Sequence, residues 1–218
     1  MADLWKPMLR PAALLAFALV GALLAGCTKL APVVRESKYA PISEWLATVA
    51  VIPFYPHLRF QSPEGVSGSE AAALVGRFVS EALAAGGVSV ITPSDLQLAF
   101  DGTGQVAPHL DPAAAAKLAA WKFGATAVLT GEVARYRDRS GGTRGSLRAA
   151  SVHFELTLYA APSGSRLWRG HFEETQQTMT DNPLRARQYP GRGTRWLTAG
   201  ELARWGARSA VESLLAAR

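Results

Sequence analysis

Between residues 152 and 159 the chain alternates strictly: Val152, Phe154, Leu156 and Leu158 fall on one side, and His153, Glu155, Thr157 and Tyr159 on the other. A period of two marks a strand with one buried and one solvated face. Pro162-Ser163-Gly164 follows and fits a three-residue hairpin loop, a type I turn with the glycine left-handed. That loop pairs Ala161 with Ser165 and sets the register. Leu158 then faces Trp168, and Phe154 faces Phe172. Apolar meets apolar, which a one-residue slip would destroy.

The remaining elements are built around this hairpin. Ala47-Thr48-Val49-Ala50-Val51-Ile52-Pro53-Phe54 reads as a buried strand closed by a proline. A polar loop through Gly65 leads to Ser67, which forms a capping box with Glu70. The helix they open ends at Gly86-Gly87. Val88-Ser89-Val90-Ile91 is a second strand, and Pro93 opens a short helix. Asp111-Pro112 opens another, which stops at Gly124. A third strand spans residues 125–138, with Gly131 a candidate bulge. Residues 140–145 are a turn-rich link to the hairpin, and residues 179–195 are irregular. Thr198 and Glu201 cap a final helix whose Ala203, Ala207, Ala210, Val211 and Leu214 recur at helical spacing.

The order is β-α-β-α-α-β-β-β-α. Strands alternating with helices pair in parallel, and the last three form a meander. The expected fold is α/β or α+β: one domain, a mixed five-stranded sheet and covering helices. A chain of 218 residues suits one domain with a real core.

Upstream of this domain, residues 12–25 are an apolar run preceded by Lys6 and Arg10 and followed by Gly26-Cys27. That order reads as a secretory signal. The run is shorter than the roughly 20 residues of a bilayer-spanning helix. Leu24-Ala25-Gly26-Cys27 resembles the lipobox of bacterial lipoproteins. The resemblance implies cleavage before Cys27 and acylation of its thiol. The alternative is an ordinary signal with a chance cysteine. Residues 1–26 are then the signal peptide, 27–46 a lipidated tether and 47–218 the envelope domain, with a C-terminal loop and helix over 179–218. Loss of Asp3, Lys6 and Arg10 lowers the net charge from +6 to +5. A basic exported chain meets anionic head groups and wall polymers, not nucleic acid. Cys27 is the one cysteine, so no internal disulfide can form. The covalent lipid is the one attached group expected; no cofactor is. Thr28 follows the cysteine where an inner-membrane retention signal would place aspartate, which points to the periplasmic face of the outer membrane.

The domain also resembles a group of exported lipoprotein domains that includes the curli secretion protein CsgG, the peptidoglycan-synthase activator LpoB and the amino-terminal domain of TolB. The matching residues are Val49-Ala50-Val51-Ile52-Pro53-Phe54, Gly87-Val88-Ser89-Val90-Ile91, Phe123-Gly124-Ala125-Thr126-Ala127-Val128-Leu129-Thr130-Gly131-Glu132-Val133 and Gly164-Ser165-Arg166-Leu167-Trp168. The resemblance covers residues 47–175 and bears on fold more than function. The chain lacks the spare pair of long amphipathic strands of a CsgG-like pore, and its tether is shorter than that of LpoB-like activators.

Two clusters are candidate sites. The hairpin register sets His153 opposite Glu173 and Glu155 opposite His171 on one face. Two imidazoles and two carboxylates are a donor set for zinc. Two solvated cross-strand ion pairs are the simpler reading, and no bound metal is expected. Arg185, Arg187, Tyr189, Arg192, Arg195 and Trp196 form the second cluster, a candidate interaction surface, since arginine and aromatic side chains concentrate at interfaces. A solvated loop is the alternative. No Gly-x-Ser-x-Gly elbow or P-loop is present. The expectation is a non-enzymatic, lipid-anchored protein-binding or scaffolding domain of the envelope, acting in envelope assembly or peptidoglycan-synthase regulation. The alternative is a subunit of an outer-membrane secretion or transport assembly.

Overall fold

The structure is a computed structural model. It describes residues 34–62, 66–101 and 111–217. Leu24, Ala25, Gly26 and Cys27 lie outside these residues, as does the whole signal segment.

The strands are β1 (Val34–Lys38), β2 (Thr48–Val51), β3 (Tyr55–Gln61), β4 (Ser89–Ile91), β5 (Ala127–Arg137), β6 (Ser140–Gly141), β7 (Ser146–Arg148), β8 (Ser151–Ala160) and β9 (Arg166–Thr175). The α-helices are α1 (Gly68–Ala85), α2 (Pro93–Asp101), α3 (Pro112–Phe123), α4 (Pro183–Ala186) and α5 (Ala199–Ala216). The main sheet runs β1-β9-β8-β5-β2-β4. β2 pairs in parallel with both β4 and β5, and β8 pairs antiparallel with β5 and β9. The mixed α/β sheet is therefore as expected, with parallel early strands and a later meander.

It has seven strands, however, not five. β3 lies in the expected polar loop and continues alongside β5 where β2 stops: Val51 pairs with Leu129, and Tyr55 with Glu132. β1 lies in the expected tether and pairs antiparallel with β9 at the sheet edge. The Trp168 indole N–H donates to Glu36 Oε2 at 3.3 Å, and the Ser213 hydroxyl donates to the same oxygen. Ile42 and Leu46, also within the expected tether, are buried in the main core. Residues 34–46 thus belong to the folded domain. Apolar anchors after a polar strand hold them there.

The longer helices are bounded by the expected residues, while the short α4, capped by Asn182, falls in the stretch expected to be irregular. Ser67–Glu70 and Thr198–Glu201 both form complete capping boxes on α1 and α5. Asp111 caps α3, and Gly124 ends it in the left-handed conformation. Each such cap contributes about 1 kcal/mol.

The sheet has two unequally covered faces. α1 and α5 cover one face with the larger core, which includes Phe54, Val75, Phe78, Leu83, Phe154, Trp168, Phe172 and Leu202. α2 and α3 cover only one end of the other face, packing Leu96, Phe100, Ala115 and Ala119 on Ala50, Ile52 and Val128. Two glycines allow close approach. A Cβ at Gly131 would lie 2.3 Å from the Phe54 ring, and one at Gly206 would lie 2.5 Å from Phe172. Gly131 pairs regularly with Leu156, so it is a contact site and not the bulge.

The bulge lies further along β5, between Val133 and Arg135. It has a consequence for the open face. Val133 points into the core opposite Phe154, and strict alternation would send Arg135 inward as well. The extra residue, Ala134, instead leaves Tyr136 inward and places Arg135 beside His153.

Candidate functional site

The uncovered part of the second face is polar. β8 contributes His153, Glu155 and Thr157; β9 contributes Arg169, His171 and Glu173; β5 contributes Glu132 and Arg135. Sheet alternation and the β5 bulge put them together. The observed register sets His153 against Glu173 and Glu155 against His171, as the hairpin reading expects.

Of the two expected ion pairs on this face, Glu155–His171 forms and His153–Glu173 does not. His171 stands between both carboxylates: Nδ1 is 3.4 Å from Glu155 Oε1, and Nε2 is 3.6 Å from Glu173 Oε2. Glu173 accepts from the Arg135 guanidinium at 2.8 Å, and Arg135 Nε donates to Ser151 Oγ at 2.7 Å. Glu155 Oε2 accepts two bonds from Arg169, one from Nε at 3.1 Å and one from Nη2. His153 therefore does not pair with Glu173. A permanently charged guanidinium outcompetes an imidazole for that carboxylate. His153 sits edge-on to His171, with ring centroids 4.6 Å apart, and its buried Nε2 has no hydrogen-bond partner among the described residues.

These contacts set the protonation states. Burial holds the His153 imidazole below its ordinary range, and the neighbouring His171 and Arg135 add to this. The Arg135 bond holds the Glu173 carboxyl low. Burial pushes the Glu155 carboxyl up, yet the Arg169 bond and charge bring it below the ordinary range. At neutral pH the face carries ionised carboxylates, arginines and a neutral His153. Such a face can recognise a polar protein surface of mixed charge.

Arg135 and Arg169 are the charged residues of this face that the sequence reading does not supply. Arg169 was within reach of it, since the same register count sets it beside Glu155. Arg135 was not, because the bulge that turns it outward leaves no pattern in the chain.

The arginine cluster of residues 185–196 does not form one surface. Arg185 and Tyr189 are buried. Both meet Glu174: Tyr189 Oη donates to Oε1 at 2.7 Å, and the Arg185 guanidinium bonds Oε2. Arg185 also stacks on Trp205, 5.8 Å from the ring centroid. The reason is register. Glu174 pairs with Val152 on the apolar side of the hairpin, and a carboxylate there requires a cation. Of the rest, Arg195 makes a two-pronged bond to Glu201 at 2.8 and 2.6 Å, and Trp196 is half-buried. Only Arg187 and Arg192 stand exposed without an ion pair among the described residues.

No known family and no curated protein matches the chain. Solved structures do resemble it. One is the PelC dodecamer of Paraburkholderia phytofirmans, 14% identical, covering 83% of this chain and 95% of that one, with a TM-score of 0.45. Another is the lipoprotein GNA1162 of Neisseria meningitidis, 22% identical, covering 60% and 83%, with a TM-score of 0.42. A third is the LpoB C-terminal domain of Salmonella enterica, 16% identical, covering 73% and 94%, with a TM-score of 0.41.

Proposed function

We propose that this protein is a lipid-anchored, non-enzymatic domain of the bacterial envelope that binds a protein partner through the open face of its sheet. The observation that carries the binding role is the half-covered sheet. One face is sealed by α1 and α5, while the other exposes a preorganised set of charges on rigid strands. Glu155, Glu173, Arg135 and Arg169 are already locked in mutual bonds, so little side-chain freedom is lost on docking. Support for the anchor is the Leu24-Ala25-Gly26-Cys27 pattern after a short apolar run. Residues 28–33 alone separate Cys27 from β1, a chain span of at most about 25 Å. Anchored there, the domain works close to its own membrane. Its role is then envelope assembly or the regulation of wall synthesis at short reach.

The test is site-specific photo-crosslinking in cells, with the reactive residue at Thr157 on the open face or at Arg208, exposed on α5. A discrete adduct from Thr157 and none from Arg208 is the expected result. Adducts of equal yield from both positions would contradict the open-face assignment. A self-adduct from Thr157 would favour an oligomeric assembly subunit over a partner-binding module.

A further inference from the structure

The β8–β9 hairpin brings His153, Glu155 and His171 together so that one nitrogen from each imidazole and one carboxylate oxygen lie within 4.8 Å of one another. We propose that these three residues bind a divalent transition metal of the zinc class. Two imidazoles and a carboxylate suit such a cation, whereas magnesium and calcium favour all-oxygen donors.

The spacing of two donors already fits. His171 Nδ1 and Glu155 Oε1 are 3.4 Å apart. Ligand bonds of about 2.1 Å at a tetrahedral angle separate two donor atoms by roughly 3.4 Å. Both donors are also oriented from behind. Arg169 holds Glu155 by Oε2, which leaves Oε1 on the His171 side. Glu173 Oε2 lies 3.6 Å from the other His171 nitrogen, Nε2, and is itself part of a carboxylate bound by Arg135 at 2.8 Å. A carboxylate behind a ligating histidine is the recurrent support of such sites.

His153 supplies the third donor. It lies two residues from Glu155 on the same strand and edge-on to His171. Its Nε2 is buried without a hydrogen bond among the described residues. A ring that no hydrogen bond fixes can turn a nitrogen towards a cation at low cost. Three protein donors leave one tetrahedral position for water or a partner's side chain. The site goes beyond the anchoring and binding roles and depends on neither.

The test uses the full-length chain in detergent, stripped with a chelator and titrated with zinc chloride by calorimetry. One zinc per chain is expected. His153→Ala, His171→Ala and Glu155→Gln should each weaken binding by at least about tenfold. His57→Ala, on β3 and 3.8 Å from Glu132, should leave it unchanged. The unaltered chain loaded with cobalt(II) should show the intense visible bands of tetrahedral coordination, which zinc then displaces. This measurement needs no variant to fold. Absence of those bands, or unchanged zinc affinity in His153→Ala and His171→Ala, overturns the proposal.

Discussion

Glu174 and Arg185 form an ion pair almost closed off from water, with side chains 5% and 9% exposed. It joins the end of β9, the last strand of the meander, to α4 in the segment that leads into α5. Tyr189 completes the set: its hydroxyl donates to Glu174 and accepts from the Gln177 backbone N–H at 3.1 Å. Burial, the first cause, and the bond to Glu174 push the Tyr189 hydroxyl well above its ordinary range, so it remains a donor at every physiological pH. Trp205 lies against both partners, edge-on to Tyr189 and beneath Arg185.

Breaking this pair from one side strands a buried charge. Arg185→Met should lower unfolding stability by about 3–5 kcal/mol. The double variant Glu174→Met/Arg185→Met should recover a large part of that loss, because both charges then leave the interior together. Chemical denaturation of the three proteins checks this. Equal stability of the single and double variants would show that the charge left behind costs nothing.

Gly131 is needed for space. Gly131→Val would drive a side chain into the Phe54 ring at a site where a Cβ alone comes within 2.3 Å. Overpacking of this kind costs about 1–3 kcal/mol. Gly87→Ala is a contrasting control: nothing lies within 4 Å of its Cβ, and the cost there comes from its φ of +80°. The Gly131 variant should lose stability together with the β2–β5 packing, visible as faster amide exchange at Ile52, whose N–H bonds Leu129 O at 2.8 Å.

Stability should also respond to pH through Glu201. The Arg195 bond, with help from the Thr198 backbone N–H, lowers this carboxyl to about 2. Its folded value lies below its unfolded one, so its contribution is complete above the ordinary value of 4.5 and fades as pH falls towards about 2. Glu201→Gln should flatten the acid side of the stability profile between those limits. An identical profile in the variant would contradict the assignment.

His153 acts in a higher window. Its folded value is depressed from 6.5, so the unfolded chain takes up the proton first as pH falls below that value. Stability conferred by the neutral ring is present above pH 6.5 and lost below it. His153→Gln should remove that step, as read in thermal melts across the window.

Much of the architecture was legible because it rests on local signals. Capping boxes, helix-ending glycines and the alternation of β8 placed α1, α3, α5 and the hairpin. The hairpin register survived through two compensating departures. The loop closes at Ala160, whose N–H bonds Ser165 O at 2.8 Å, one residue earlier than a three-residue loop would. A shift between Leu158 and Tyr159 then restores Leu158 opposite Trp168. Gly164 is left-handed, as the turn chemistry demands, while the Ala161–Pro162 bond is cis.

The elements that were not legible lack a usable apolar signal. β1 reads Val-Arg-Glu-Ser-Lys, with no apolar period, and β3 does alternate at Pro56, Leu58 and Phe60 but carries a proline near its start and leaves Leu58 exposed. Their pairing partners lie more than 70 residues away, so only tertiary contacts make them strands. The inward turn of Arg185 was missed for the opposite reason. Its cause, Glu174 on the apolar side of the hairpin, is implicit in the register, but the clustering of arginines with aromatic residues by itself points to a surface group.

The lipid anchor proposed on Cys27 would set where this domain works, and one measurement tests it most directly: the intact mass and amino terminus of the protein extracted in detergent from its own cells. The account predicts a chain that begins at Cys27 and carries a thioether-linked diacylglycerol, with Cys27→Ala left unprocessed and unlipidated. A chain that begins elsewhere, or one that begins at Cys27 with a free thiol, would contradict it.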